Sequence, residues 1–196
     1  MDLVSRSATE PIIYRIDAED RISYVNWSWE DSAMHSGTPD VLPDRVLGRR
    51  LWDFVSEPTT RAIYQRLVAR AREGTATTIH YRCDRPDRHR IYAMTIGRLA
   101  TGEIEFSTRI LRESRRPRIA LLEQRLRAPS KFVRICDWCQ DILLFDRGWV
   151  PLETAAETLE RRSSDSLPGL VHSICERCED RVSREIAQPS AAIDLS

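Results

Sequence analysis

The chain has almost no lysine. Of its 30 basic residues, only Lys131 is not an arginine, a bias that points to a GC-rich bacterial genome. Long apolar runs are also missing. Nothing approaches the roughly 18 consecutive apolar residues of a membrane span, and no charged-then-apolar leader opens the sequence. A cytoplasmic protein with no membrane attachment is therefore expected. Neither sign of charge is in excess, since 30 acidic residues balance the 30 basic ones. No global field is present to gather nucleic acid. A Gly-rich phosphate loop, a His-Glu-x-x-His pair and a Gly-x-Ser-x-Gly elbow are all absent. With no kinase or cyclase segment either, no enzymatic activity is expected.

What is present is a set of five cysteines, in a chain of 196 residues with enough apolar content (41%) for a real core. In a reducing compartment such a count argues for metal over a disulfide framework. Four of the five form two pairs, Cys136-Asp-Trp-Cys139 and Cys175-Glu-Arg-Cys178, with 35 residues between them. Two residues between thiols let the backbone turn back so that both sulfurs face one ion. A redox dithiol uses the same spacing, so one pair alone says little. Two pairs complete a tetrahedral four-thiolate shell. The long gap implies a small subdomain between the knuckles, and closing it costs only roughly 0.6 kcal/mol per doubling of length. Two reducible disulfides, or four unrelated buried thiols, are the other readings of the pattern.

Thiolate-rich tetrahedral sites suit zinc, with iron left open. A filled shell makes the metal structural and not catalytic. His172 precedes Cys175 by three positions, near enough to replace a thiolate or to hydrogen-bond a sulfur from outside the shell. A module of about 45 residues buries too little apolar surface to stand alone, so metal loss should unfold it.

Taken in order, residues 1–10 are polar and read as a flexible tail. Ile12, Ile13, Tyr14 and Ile16, then Ile22, Tyr24 and Val25, flank a charged turn and predict a β-hairpin. Residues 27–38 predict a short helix ending near Gly37, and Val46-Leu47 one weak helical turn. A longer helix is expected from Pro58 to Glu73, with Ser56 as N-cap and Gly74 closing the end. Tyr64, Leu67, Val68 and Ala71 make its apolar stripe, and Arg61, Arg66, Arg70 and Arg72 read as its solvated face. Three strands follow, over 77–83, 90–96 and 104–110. Cys83 reads as a half-buried strand cysteine, and His35, His80 and His89 as surface or core residues. The expected class is α+β, a five-stranded antiparallel sheet with helices on one face.

Tyr24-Val25-Asn26, the stretch Val46-Leu47-Gly48-Arg49-Arg50-Leu51-Trp52-Asp53-Phe54, Arg82-Cys83-Asp84 and the three-strand finish resemble a PAS sensor domain over residues 11–112. That resemblance implies sensing of a small ligand of unknown identity or docking of a protein partner, and homodimerisation. The cysteine-rich end resembles a C-terminal module of bacterial PAS and response-regulator proteins. The matching positions are Ile135, Cys136, Cys139, Trp149, Leu152, Glu153, His172, Ile174, Cys175 and Cys178. Ser173 stands where that pattern has Gly, and Glu176 where it has Pro. Neither departure removes a thiol.

Residues 113–134 form an Arg-rich linker, 135–187 the four-cysteine zinc-binding module and 188–196 a second flexible tail. Around the linker, nine basic groups face Glu113 and Glu123, a local patch for an anionic partner. Within the module a hairpin turning at Gly148, a helix from Leu152 and a final helix through Val182 and Ile186 are expected. The function read from all this is that of a non-enzymatic signalling or regulatory protein, in which PAS-like sensing is coupled to a structural-zinc interaction module. Two alternatives stand beside it. One is a nucleic-acid-binding transcriptional regulator using the linker and knuckles. The other is a redox or metal sensor whose thiolates are the signal.

Overall fold

The computed structural model describes residues 10–35, 39–123, 131–162 and 167–187. The expected tails, Glu10 apart, lie outside the described residues, as do the expected helix end at Gly37, the middle of the linker and most of the loop before Leu167.

Five strands build the first sheet: β1 (Ile12–Ile16), β2 (Ile22–Val25), β3 (Thr77–Arg82), β4 (Arg88–Arg98) and β5 (Ile104–Arg115). Their order is β2-β1-β5-β4-β3, antiparallel at every pairing. Period-two alternation puts Tyr14, Ile16, Ile79, Met94, Ile96, Ile104 and Phe106 on one buried face. Helices cover that face: α1 (Trp27–His35), α2 (Pro43–Val46) and α3 (Pro58–Arg72). Ile63, Leu67, Val68 and Ala71 of α3 are all buried against it.

Two details of α3 differ from expectation. Its N-cap is Glu57 and not Ser56, because the longer carboxylate reaches the free amides of both Thr59 and Thr60. Of its arginines, Arg66 is exposed as expected, but none is without a partner on another segment. Arg61 donates to the carbonyls of Trp52 and Val55, Arg72 pairs with Asp20, Arg66 reaches Ser183 and Arg70 the carbonyl of Ile186. Each holds a loop or a distant helix, which no local pattern announces.

β4 and β5 also run longer than their apolar stretches. The ladder continues past a bulge at Ile91 and Tyr92, and Arg90 and Arg88 pair across it with Glu113. Cross-strand ion pairs sustain strand in a sequence that reads as connector. The sequence places the connector from 113; the chain stays in the sheet through Arg115.

The second unit contains β6 (Phe132–Cys136), β7 (Ile142–Leu144), β8 (Gly148–Val150), α4 (Leu152–Arg162), β9 (Gly169–Ser173) and α5 (Glu176–Ala187). Its sheet order is β8-β7-β6-β9. The hairpin and both helices follow the sequence pattern; β6 and β9 do not. They pair in parallel, from Phe132 opposite Gly169 to Cys136 opposite Ser173. Parallel neighbours need a crossover, and α4 lies within it. One face of this unit keeps its own core, with Ile119, Leu121, Ile135, Ile142, Leu152 and Ala155. The other face, carrying Cys136, Trp138, Cys175, Cys178, Val182 and Ile186, is continuous with the core of the first unit. The cysteine face thus merges with the core of the first unit.

Candidate metal centre and pocket

The parallel pairing of β6 with β9 brings the cysteines together. Because both strands run the same way, both knuckles leave the sheet at the same end. The first knuckle turns at Gln140, whose φ of +64° reverses the chain. The Gln140 amide donates to the Cys136 carbonyl and the Cys136 amide to that of Asp141. The second knuckle is the opening turn of α5, with the amides of Cys178 and Glu179 donating to the carbonyl of Cys175. A 2.8 Å bond from the Asp137 amide to the Ser173 carbonyl ties the two together.

The sulfurs of Cys136, Cys139, Cys175 and Cys178 all lie within 4.8 Å of one another, and none is in a disulfide. The Cys139 and Cys175 sulfurs are 3.8 Å apart. Metal–sulfur bonds of about 2.3 Å imply an edge of roughly 3.8 Å for a tetrahedron of thiolates. The donor set therefore fits a metal ion. Cys136, Cys175 and Cys178 are buried and Cys139 half-buried.

Without an ion the four cannot all be thiolates. The Cys139 and Cys178 thiols donate to Cys136 and, against its burial, bring it well below the usual thiol range. The same sharing, together with burial, pushes the Cys178 thiol far up. A dication would replace those shared protons. Positive charge already surrounds the sulfurs. Arg177 lies 3.9 Å from the Cys139 sulfur and 2.6 Å from Asp141, while Arg181 lies 4.0 Å from the Cys178 sulfur. The Cys175 amide donates to the Cys136 sulfur at 3.4 Å. These partners were not singled out from the sequence; Arg181, three positions after Cys178 on the expected helix, is the one its spacing could have found.

His172 stands outside the four-sulfur set. It is largely exposed and its Nδ1 meets the Asp137 carboxylate at 2.5 Å, a bond that raises it above the usual histidine range. Ser173 and Glu176 have local roles. The Ser173 hydroxyl accepts from Arg134 at 2.5 Å, and Glu176 puts an acid in the first turn of α5, where the helix dipole favours it.

A pocket of about 240 Å³ opens between the first sheet and α1, lined by Tyr14, Trp29, Ala33, Tyr81, Met94 and Thr108 among others. Its wall is largely aromatic and apolar, with Tyr81 stacked on Tyr92 at 5.4 Å. Cys83 stands at the rim. It is exposed to solvent yet crowded, and desolvation, then the Asp84 carboxylate, pushes its thiol up. His80 is exposed and does not line the pocket.

Knuckle and pocket are joined by packing. Trp138, between the first two cysteines, is 3% exposed and its ring lies 5.9 Å from Tyr64. Burial, Asp137 of the knuckle and Cys83 of the pocket rim all push the Tyr64 hydroxyl up. The two units also share a buried ion network. Asp84, with no exposed side-chain surface, is held by Arg116 at 2.7 Å and by Arg82, and both arginines reach Glu153 on α4.

The 2-1-5-4-3 antiparallel sheet with its helix-covered face has the architecture of the PAS fold. Residues 7–118 match the family model described as PAS fold, and the chain belongs to that family. A search of curated proteins found no matching relative. Among solved structures, a sensory box sensor histidine kinase from Vibrio cholerae is similar at 9% identity, with a TM-score of 0.34. The likeness covers 52% of this chain and 81% of that one. No helix among the described residues is long and apolar enough to cross a membrane.

Proposed function

We propose that this is a non-enzymatic signalling or regulatory protein in which a PAS pocket takes a small, largely apolar molecule and a structural zinc holds the C-terminal unit. The convergence of the four cysteines carries this reading: their sulfurs meet in the core, in a set whose spacing suits a tetrahedral ion. A full thiolate shell leaves no position for substrate, which makes the metal a fold-holding element. The exposed surface of the second unit then serves a protein partner or a second copy of the chain.

The nucleic-acid reading is the weaker one. Of the nine basic groups around the linker, Arg116 and Arg118 are engaged by Asp84, Glu153 and Glu123, and Arg134 by Ser173.

Elemental analysis of the purified chain tests the metal. One equivalent of zinc per chain is expected, falling by at least about tenfold in Cys136→Ser together with loss of near-UV signal. Full metal content in that variant would remove the site. One equivalent of iron with visible absorption would keep the site and replace the zinc.

A further inference from the structure

We infer that metal at the four cysteines and occupancy of the PAS pocket are energetically coupled, with Trp138 as the positioning residue between them. The inference rests on the metal reading above. Two connections run from the first knuckle to the pocket, and both begin at this residue.

The first connection is backbone. β3 is the edge strand of the first sheet, and the Arg82 amide at its end donates to the Trp138 carbonyl at 2.8 Å. Tyr81 and Cys83, on either side of Arg82, line the pocket. One strand end therefore carries the pocket wall on alternate residues and the knuckle contact between them. The second connection is a chain of rings. Trp138 packs on Tyr64 at 5.9 Å, Tyr64 on Phe106 at 6.5 Å, and Phe106 stacks on Tyr14 at 4.3 Å. Tyr14 is itself a wall of the pocket.

Trp138 is also held against a cost. Its indole N–H is buried and has no acceptor among the described residues. A buried donor without a partner favours any rearrangement that lets it reach one. Cys136 and Cys139 flank it closely, so an ion gripping both sulfurs fixes the turn and with it the indole. Without the ion the turn is free to relax, the indole shifts, and β3 and Tyr64 lose their support. Linkage works in both directions: whatever the metal does to the pocket, a filled pocket does to metal affinity.

The test uses the full chain and zinc alone as probe. Ala33→Leu places a larger side chain in the pocket wall, far in sequence from the cysteines. Zinc affinity is measured by chelator competition in wild type, Ala33→Leu, Trp138→Leu and the double variant. The pocket substitution should shift zinc affinity by about fivefold or more, and most of that shift should vanish in the Trp138→Leu background. Zinc bound at one equivalent with affinity unchanged by Ala33→Leu overturns the coupling and leaves the metal site standing. A shift that persists undiminished without the indole overturns the chain of rings as the route. A chain that binds neither zinc nor iron overturns both the site and the coupling.

Should Ala33→Leu fail to fold, alkylation of Cys83 supplies the second readout. In the zinc-loaded chain, replacing Trp138 by Leu should change the Cys83 rate, followed by peptide mass, by about fivefold or more. An unchanged rate overturns the proposal.

Discussion

The indole of Trp138 lies 5.9 Å from the ring of Tyr64 on α3, although it sits between two cysteines of the second unit. That contact places the proposed metal site inside a shared core, where Val182 and Ile186 of α5 are also buried. The two units should therefore unfold together. Calorimetry of the metal-loaded chain is expected to give one transition, and Trp138→Ala should lower stability by about 3–5 kcal/mol while keeping it single. Two resolved transitions would mean the shared core contributes little.

Asp84 offers a sharper mutational contrast. Its side chain is fully buried and faces Arg82 and Arg116, themselves 17% and 9% exposed. Removing one member of a buried charge cluster leaves the others unpaired, so Asp84→Ala should cost about 3–5 kcal/mol in urea unfolding. Arg118→Ala, which breaks an exposed pair with Glu123, should leave the urea midpoint indistinguishable from wild type. Equal small costs for the two variants would show that the buried arginines regain water.

The cap of α3 gives a pH-dependent prediction. Burial alone would raise the Glu57 carboxyl, but the Thr60 and Thr59 amides hold it below the usual range. A lowered folded-state value means that its stabilisation is present above the unfolded pKa, about 4.3. It is lost as pH falls through the folded value. Glu57→Gln should therefore cost about 1 kcal/mol at neutral pH. The difference from wild type should close in the acid range below the unfolded value. A gap that stays constant from pH 7 down to acid would rule out the charged cap as its source.

Arg70 ties α3 to the end of α5 by a 2.5 Å bond to the Ile186 carbonyl. Arg70→Ala should let amides near the C-terminal end of α5 exchange about tenfold faster, corresponding to about 1.4 kcal/mol of lost local protection. Exchange spread evenly over the chain, instead of concentrated in α5, would argue against a local tether.

Much of the architecture could be read along the chain. The hairpin, α3 with its apolar stripe and the strand alternation that buries Ile79, Ile96 and Phe106 are short-range patterns, and they placed the sheet and its class. The four cysteines were legible for the same reason: knuckle spacing is a local property. The tertiary structure alone decided that β6 and β9 lie side by side in parallel and that Trp138 enters the other unit's core. It also decided that Arg70 and Arg72 of α3 bind carbonyls far along the chain. Such contacts join segments whose own sequences fit several partners equally well. Only simultaneous burial and hydrogen-bond satisfaction across the whole chain select one of them.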